Sequence, residues 1–138
     1  MVGTLIANRT AWTATLDATP SSGTLANMFD AKTNTYWYVS PSKEVNLTVN
    51  LGSVYTDITG IRIHCYSSTY YLYSLIVYTS LDGITWNSQG LANLSIVSTY
   101  QYVKFYAPIP TVKYIKVDVK SWKSSTNLIM AEFDVYKN

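Results

Sequence analysis

The sequence predicts an all-β fold, a β-sandwich or jelly roll, and three observations carry that reading. Apolar and polar residues alternate with a period of two in several short runs. Turn-forming residues separate the runs at short intervals. Only one short stretch looks helical, and no internal repeat is present. Seven or eight short strands at this spacing must pair and stack, because a lone sheet would leave its apolar face in water.

The elements follow in chain order. Residues 10–16, which carry Trp12, read as an early strand, and 23–30, with Leu25, Ala26, Met28 and Phe29, as a single helical turn. In 45–51 the alternation is strict: Val45, Leu47, Val49 and Leu51 face the core, Asn46, Thr48 and Asn50 face water, and Gly52 ends the strand. Residues 61–66 repeat the pattern, with Ile61, Ile63 and Cys65 inward and Arg62, His64 and Tyr66 on a solvated outer face. In 74–80, Leu75, Val77 and Thr79 share one face and Ile76, Tyr78 and Ser80 the other. Asp82-Gly83 then supplies the φ > 0 conformations of a hairpin turn and returns Trp86 beside that strand. Strands at 100–106, at 112–119 with Ile115, Val117 and Val119 inward, and at 130–136 complete the set. Trp12, Trp37 and Trp86 are expected in the core.

Composition limits the partners. With 138 residues, 48% hydrophobic and 13% charged, the chain suits one domain over residues 1–138 that buries a core without disulfides. The net charge is +2, and Lys113, Lys116, Lys120 and Lys123 make a basic stripe too small for nucleic acid, better read as a solvated strand face. A single cysteine, Cys65, excludes an intrachain disulfide and leaves zinc only that thiol, His64 and carboxylates. There is no run of 18 apolar residues and no apolar signal-peptide core, as expected for a soluble piece of a longer exported protein.

Five segments stand in a telling order: residues 27–37 (Asn-Met-Phe-Asp-Ala-Lys-Thr-Asn-Thr-Tyr-Trp), 45–52 ending in Leu-Gly, 78–86 with Ser-x-Asp-Gly-x-x-Trp, Tyr-Ile-Lys-Val from Tyr114, and Ala-Glu-Phe-Asp-Val-Tyr from Ala131. Together they resemble the discoidin family, also called the coagulation factor C-terminal domain, whose bacterial members include many carbohydrate-binding modules. The first looks like its early loop, the next two like two of its strands, and the others like its last two strands. The resemblance implies an eight-stranded antiparallel jelly-roll sandwich, galactose-binding-domain-like, in agreement with the periodicity.

It also implies a structural cation, usually calcium. Carried over position by position, the ligands are the carbonyls of Asn27, Lys32 and Ala131, the carboxylates of Asp30 and Glu132, and Thr35. A hard cation takes six to eight oxygens, and two carboxylates offset its charge. This chain has Lys32 where the family often has Asn or Asp, and Ala31 where it frequently has Gly.

Sugar recognition needs an aromatic face for the C–H side of a pyranose, with polar groups for the hydroxyls. Sugar-binding relatives place these on loops at one end of the sandwich. There this chain offers Tyr36 and Tyr38 around Trp37, then Tyr66, Tyr70 and Tyr71, and Trp122. Trp122 lies in a polar stretch, 120–127, with no apolar neighbour along the chain to bury it, which favours an exposed binding role. Galactose-binding relatives commonly carry a His directly after the loop Trp and an Arg just beyond the fourth strand. Tyr38 and residues 66–68 stand there instead, so galactose specificity does not carry over.

An enzyme is not expected. Cys65 and His64 point to opposite sheet faces and cannot share a proton, and no motif groups the carboxylates. The leading expectation is a non-catalytic carbohydrate-binding module, extracellular or at a cell surface, attaching a larger multidomain protein to a glycan or polysaccharide through Tyr38, Tyr66, Tyr70, Tyr71 and Trp122. The alternative is a structural or protein-interaction module of a surface or phage assembly. Membrane binding through the loop tip Tyr70-Tyr71-Leu72 ranks last, since that tip has no basic flank.

Overall fold

The computed structural model describes residues 3–138. Nine strands and two 3-10 turns follow in order among them: β1 (Thr4–Leu5), β2 (Thr13–Leu16), a turn at Leu25–Phe29, β3 (Trp37–Val39), β4 (Val45–His64), a turn at Ser68–Tyr70, β5 (Leu72–Ser80), β6 (Asn87–Asn93), β7 (Tyr100–Trp122), β8 (Leu128–Met130) and β9 (Glu132–Lys137). Every strand pairing is antiparallel.

Two long ribbons, β4 and β7, build both layers of the jelly-roll sandwich. Residues 45–50 of β4 pair with 114–119 of β7, and with β2, β5 and β6 form one sheet. Residues 58–64 pair with 100–109, and with β9 and β1 form the other. Register shifts between Asn50 and Tyr55, and between Ile58 and Gly60, mark the passage from one layer to the next. The strand expected to end at Gly52 therefore continues. Gly52 has φ 76°, and a Cβ there would lie 2.9 Å from the Ala11 carbonyl oxygen, so the close approach needs glycine. For the same reason 45–51 and 61–66 are halves of one ribbon, and 100–106 and 112–119 are halves of another.

Alternation selects the core as expected. Val45, Leu47, Val49, Leu51, Leu75, Val77, Ile115, Val117 and Val119 of one layer meet Ile58, Ile61, Ile63, Val103, Phe105, Phe133 and Val135 of the other in one continuous cluster. Each such side chain, fully buried, contributes about 1.5–3 kcal/mol. Trp12, Trp37 and Met28 are buried in the same cluster.

Several expectations need correction. The strand expected from residue 10 is β2 and begins at Thr13, with β1 before it; a second 3-10 turn occupies Ser68–Tyr70, and the last expected strand is divided at Ala131 into β8 and β9. Trp86 is not a core residue. The Asp82-Gly83 reversal is a six-residue loop between β5 and β6: Gly83 has φ 77°, while Asp82 Oδ1 accepts from the Ile84 and Thr85 amides, both at 2.8 Å. Asn87 pairs with inward-facing Thr79, so Trp86, one residue earlier, takes the outer face. There it is half-buried, with the Lys116 ammonium 4.4 Å from its ring and 4.9 Å from that of Tyr78.

Loops of the two layers converge at one end. The Ala131 amide donates to the His64 carbonyl at 2.8 Å, the Cys65 amide to Thr99 at 3.0 Å, and the Lys123 amide to Tyr71 at 2.9 Å. Asn27 Nδ2 donates to the Tyr36 carbonyl at 3.0 Å, and Ser42 Oγ to that of Ser124 at 2.6 Å.

Candidate functional site

A buried charge network underlies this end. Arg9 Nη1 donates to Glu132 Oε2 at 2.7 Å and to the carbonyls of Met28 and Phe133 at 3.0 and 2.9 Å, and lies 3.3 Å from Asp134 Oδ1. It thereby fastens the Leu25–Phe29 turn to β9. Arg62 Nε continues the network to Asp134 Oδ2 at 2.8 Å, and its guanidinium lies 4.0 Å from the centre of the Tyr100 ring. Burial opposes the charge on Arg62, but Asp134 outweighs it and raises its pKa.

The early loop closes onto Glu132. The Lys32 amide bridges Asp30 Oδ1 at 2.9 Å and Glu132 Oε1 at 3.0 Å, and the Thr35 hydroxyl donates to Asp30 Oδ2. Ala31, between them, has φ 61°, the conformation for which glycine is the default residue. Residues 100 positions apart thus gather oxygen donors of the type a hard cation takes. Among the described residues no group of three or more His, Cys, Asp or Glu converges, so carbonyls would have to complete any such shell. Glu132, only 2% exposed, is no surface residue. Burial, together with the nearby Asp30 carboxyl, pushes its pKa up to about 7 against the opposing pull of Arg9. Two carboxyls held this close fit a divalent cation, which relieves their repulsion. Burial also opposes the charge of Asp30, but Thr35 and the Lys32 amide outweigh it and lower its pKa.

Beside this loop the tyrosines form a strip. Tyr38 contacts Tyr36 with ring centres 6.3 Å apart, Tyr36 contacts Tyr66 at 4.6 Å, and Tyr66 contacts Tyr70 at 6.4 Å. Tyr66 is 41% exposed and the other three are half-buried. Tyr66 has φ 76°, an uncommon conformation for a bulky residue, and its amide donates to His64 Nδ1 at 3.0 Å. His64 must be unprotonated at Nδ1 to accept that bond, and burial with Arg62 lowers its pKa.

Not every expected residue joins the strip. Tyr71 stands apart, with Lys123 Nζ 5.7 Å from its ring. Trp122 is the last residue of β7, paired with Leu72, and is half-buried against the core. The apolar neighbour it lacked along the chain lies across the sheet. Nor are Arg62 and His64 a solvated face: Arg62 is half-buried and His64 buried edge-on against Tyr100 at 4.6 Å. The basic stripe is partnered too. Lys120 pairs with Asp118 and Glu44 at 2.7 and 3.1 Å, and Lys113 lies 5.7 Å from the Tyr114 ring. Cys65 Sγ donates to the Ser67 carbonyl at 3.3 Å, and burial pushes its thiol up to about 11, so it is not a ready nucleophile.

A family model of the F5/8 type C domain matches residues 9–133. The chain belongs to this family. Several solved structures share the fold. A CBM32 module from a family 31 glycoside hydrolase of Clostridium perfringens superposes with a TM-score of 0.83 at 18% identity, covering 97% of this chain and 95% of the other. The family 32 CBM of C. perfringens NanJ, solved in complex with galactose, gives 0.81 at 20% identity, covering 99% and 100%. A family 89 glycoside hydrolase of C. perfringens, in complex with PUGNAc, gives 0.75 at 24% identity; the match covers 99% of this chain but 15% of that enzyme. A search of curated proteins finds no match. In this F5/8 type C domain, sequence reading missed Arg9, Asp134 and the joining role of Tyr36.

Proposed function

We propose that this F5/8 type C domain is a non-catalytic carbohydrate-binding module that holds a larger secreted or cell-surface protein on glycans. The observation that carries the reading is the strip from Tyr38 through Tyr36 and Tyr66 to Tyr70, four rings brought side by side from the stretch entering β3 and the one that follows β4. Aromatic faces stack on the apolar side of a pyranose, and partial exposure leaves them available. Tyr71 and Trp122, outside the strip, would be secondary contacts. The galactose complex of the NanJ module supports the ligand class, and the family 89 hydrolase supports attachment to a larger chain.

Calcium belongs to the same proposal. Asp30, Thr35 and Glu132 side chains with the carbonyls of Asn27, Lys32 and Ala131 would hold it, and its charge would clamp the early loop to β9 beside the strip. A glycan array with wild type and Tyr66→Ala tests the sugar reading. The expected result is wild-type binding that the variant loses while its melting temperature holds. Binding that survives Tyr66→Ala removes the strip from the site, and no binding by either protein favours a protein-interaction module.

A further inference from the structure

The tyrosines at the loop end are strung out rather than gathered. Among the described residues, Tyr38 and Tyr70 each touch one ring only, Tyr36 and Tyr66 respectively, and not each other. A site for one terminal sugar collects its aromatic and polar groups around a single point, as concave pockets do. Two cavities of about 230 and 180 Å³ lie elsewhere, at Lys104 to Pro108 and at Thr13 to Thr15, and neither is lined by a ring of the strip.

Among the described residues no Lys or Arg side chain sits over a ring of the strip; those that sit over rings do so at Tyr71, Tyr78, Trp86, Tyr100 and Tyr114. Stacking is tolerant of which sugar presents its face, so affinity on such a surface grows with the number of rings covered. Successive ring planes are tilted by 39°, 54° and 37°, so the four rings do not form one flat platform. A chain lying on them must change orientation from ring to ring, which a linear glycan does by rotation at each linkage.

We infer that the strip takes an internal stretch of a linear oligosaccharide, several pyranose units laid from Tyr38 across Tyr36 and Tyr66 to Tyr70, rather than one terminal sugar. The inference rests on the carbohydrate-binding reading above. It makes the two outer rings the source of the gain with chain length.

Calorimetric titration of the whole domain decides it. The probes are β-1,4-linked gluco-, xylo-, manno- and N-acetylgluco-oligosaccharides from monomer to hexamer, with galactose and N-acetylgalactosamine as single sugars. In at least one series the association constant should climb roughly tenfold, about 1.4 kcal/mol, between monomer and tetramer and then level off. Tyr38→Ala and Tyr70→Ala should each shrink the ratio of tetramer to monomer affinity, Tyr38→Phe and Tyr70→Phe should keep it, and Tyr66→Ala should weaken monomer and tetramer alike. A single sugar bound as tightly as its tetramer overturns the inference and leaves the carbohydrate reading standing. A chain-length gain that survives both outer alanine variants also overturns it. Binding to no carbohydrate, here and on the glycan array, refutes the carbohydrate reading and the inference with it.

Discussion

Replacing Arg9 by Met keeps an unbranched stem of similar reach and deletes the charge. The guanidinium leaves behind two carboxylates, Glu132 and Asp134, that are 2% and 4% exposed, and the carbonyls of Met28 and Phe133 without its donor. Truncating one partner of a buried ion pair costs about 3–5 kcal/mol, because the other charge is stranded away from water. Asp134 retains Arg62, so most of the cost falls on Glu132. That carboxyl has an escape, since it can take up a proton. Burial already pushes its pKa to about 7 with Arg9 pulling the other way, and removing Arg9 raises it further.

The sign follows from linkage. A carboxyl whose folded pKa lies above its unfolded value near 4.5 binds a proton more readily when folded. Its contribution is therefore complete below about pH 4.5 and is lost as pH rises through about 7. Arg9→Met should cost about 2–3 kcal/mol at pH 5, where Glu132 is neutral with or without Arg9, and up to about 1.4 kcal/mol more at pH 8, one unit above its pKa of about 7, because the variant forgoes that ionisation. Against a total stability of about 5–15 kcal/mol the loss at pH 8, about 4 kcal/mol, is large. Urea unfolding followed by tryptophan fluorescence, in chelator at both pH values, measures it. A loss under about 1 kcal/mol at pH 8, or equal losses at the two pH values, would refute the claim that Arg9 neutralises the Glu132 corner.

Three further outcomes are expected. Chelation should lower the melting temperature and added calcium restore it, more at pH 8 than at pH 5, because a cation needs Glu132 ionised; a melting curve indifferent to both reagents, with no metal by elemental analysis, ends the calcium proposal. Gly23→Ala should destabilise by about 2 kcal/mol or more, since Gly23 has φ 78° and a Cβ would meet the Tyr36 carbonyl oxygen at 2.1 Å; urea midpoints within error of wild type would contradict that geometry. Trp37→Ala should cost about 3–5 kcal/mol, as for a buried aromatic, whereas Trp86→Ala should cost about 1 kcal/mol or less because its ring packs on Lys116 outside the core; equal losses would restore Trp86 to the core.

What the sequence carried and what it hid divide along physical lines. Period-two alternation is a local property of a pleated strand, so Val45, Leu47, Val49 and Leu51 came out fully buried, as read. Rules lost force where a residue's neighbours are not its neighbours along the chain. Trp122 looked exposed because 120–127 is polar, yet Leu72 stands opposite it across the sheet. Trp86 looked buried because the hairpin was drawn too tight; the register of Thr79 with Asn87, fixed by a six-residue loop, turns it outward. Arg9 is the extreme case, since its partners lie 19, 123 and 124 positions away and a lone arginine before Thr-Ala-Trp reads as a solvated surface charge. The aromatic strip falls between these limits. Its rings were recognisable as loop tyrosines, but their order was not, because Tyr36 meets Tyr66 only where the loop before β3 crosses the one after β4. Tyr66 lies two residues beyond His64, whose carbonyl receives the Ala131 amide, and Ala131 precedes the Glu132 that receives Arg9. The buried salt bridge that no local pattern discloses thus stands one residue from the backbone bond that fastens the end of β4, from which the chain runs on to Tyr66.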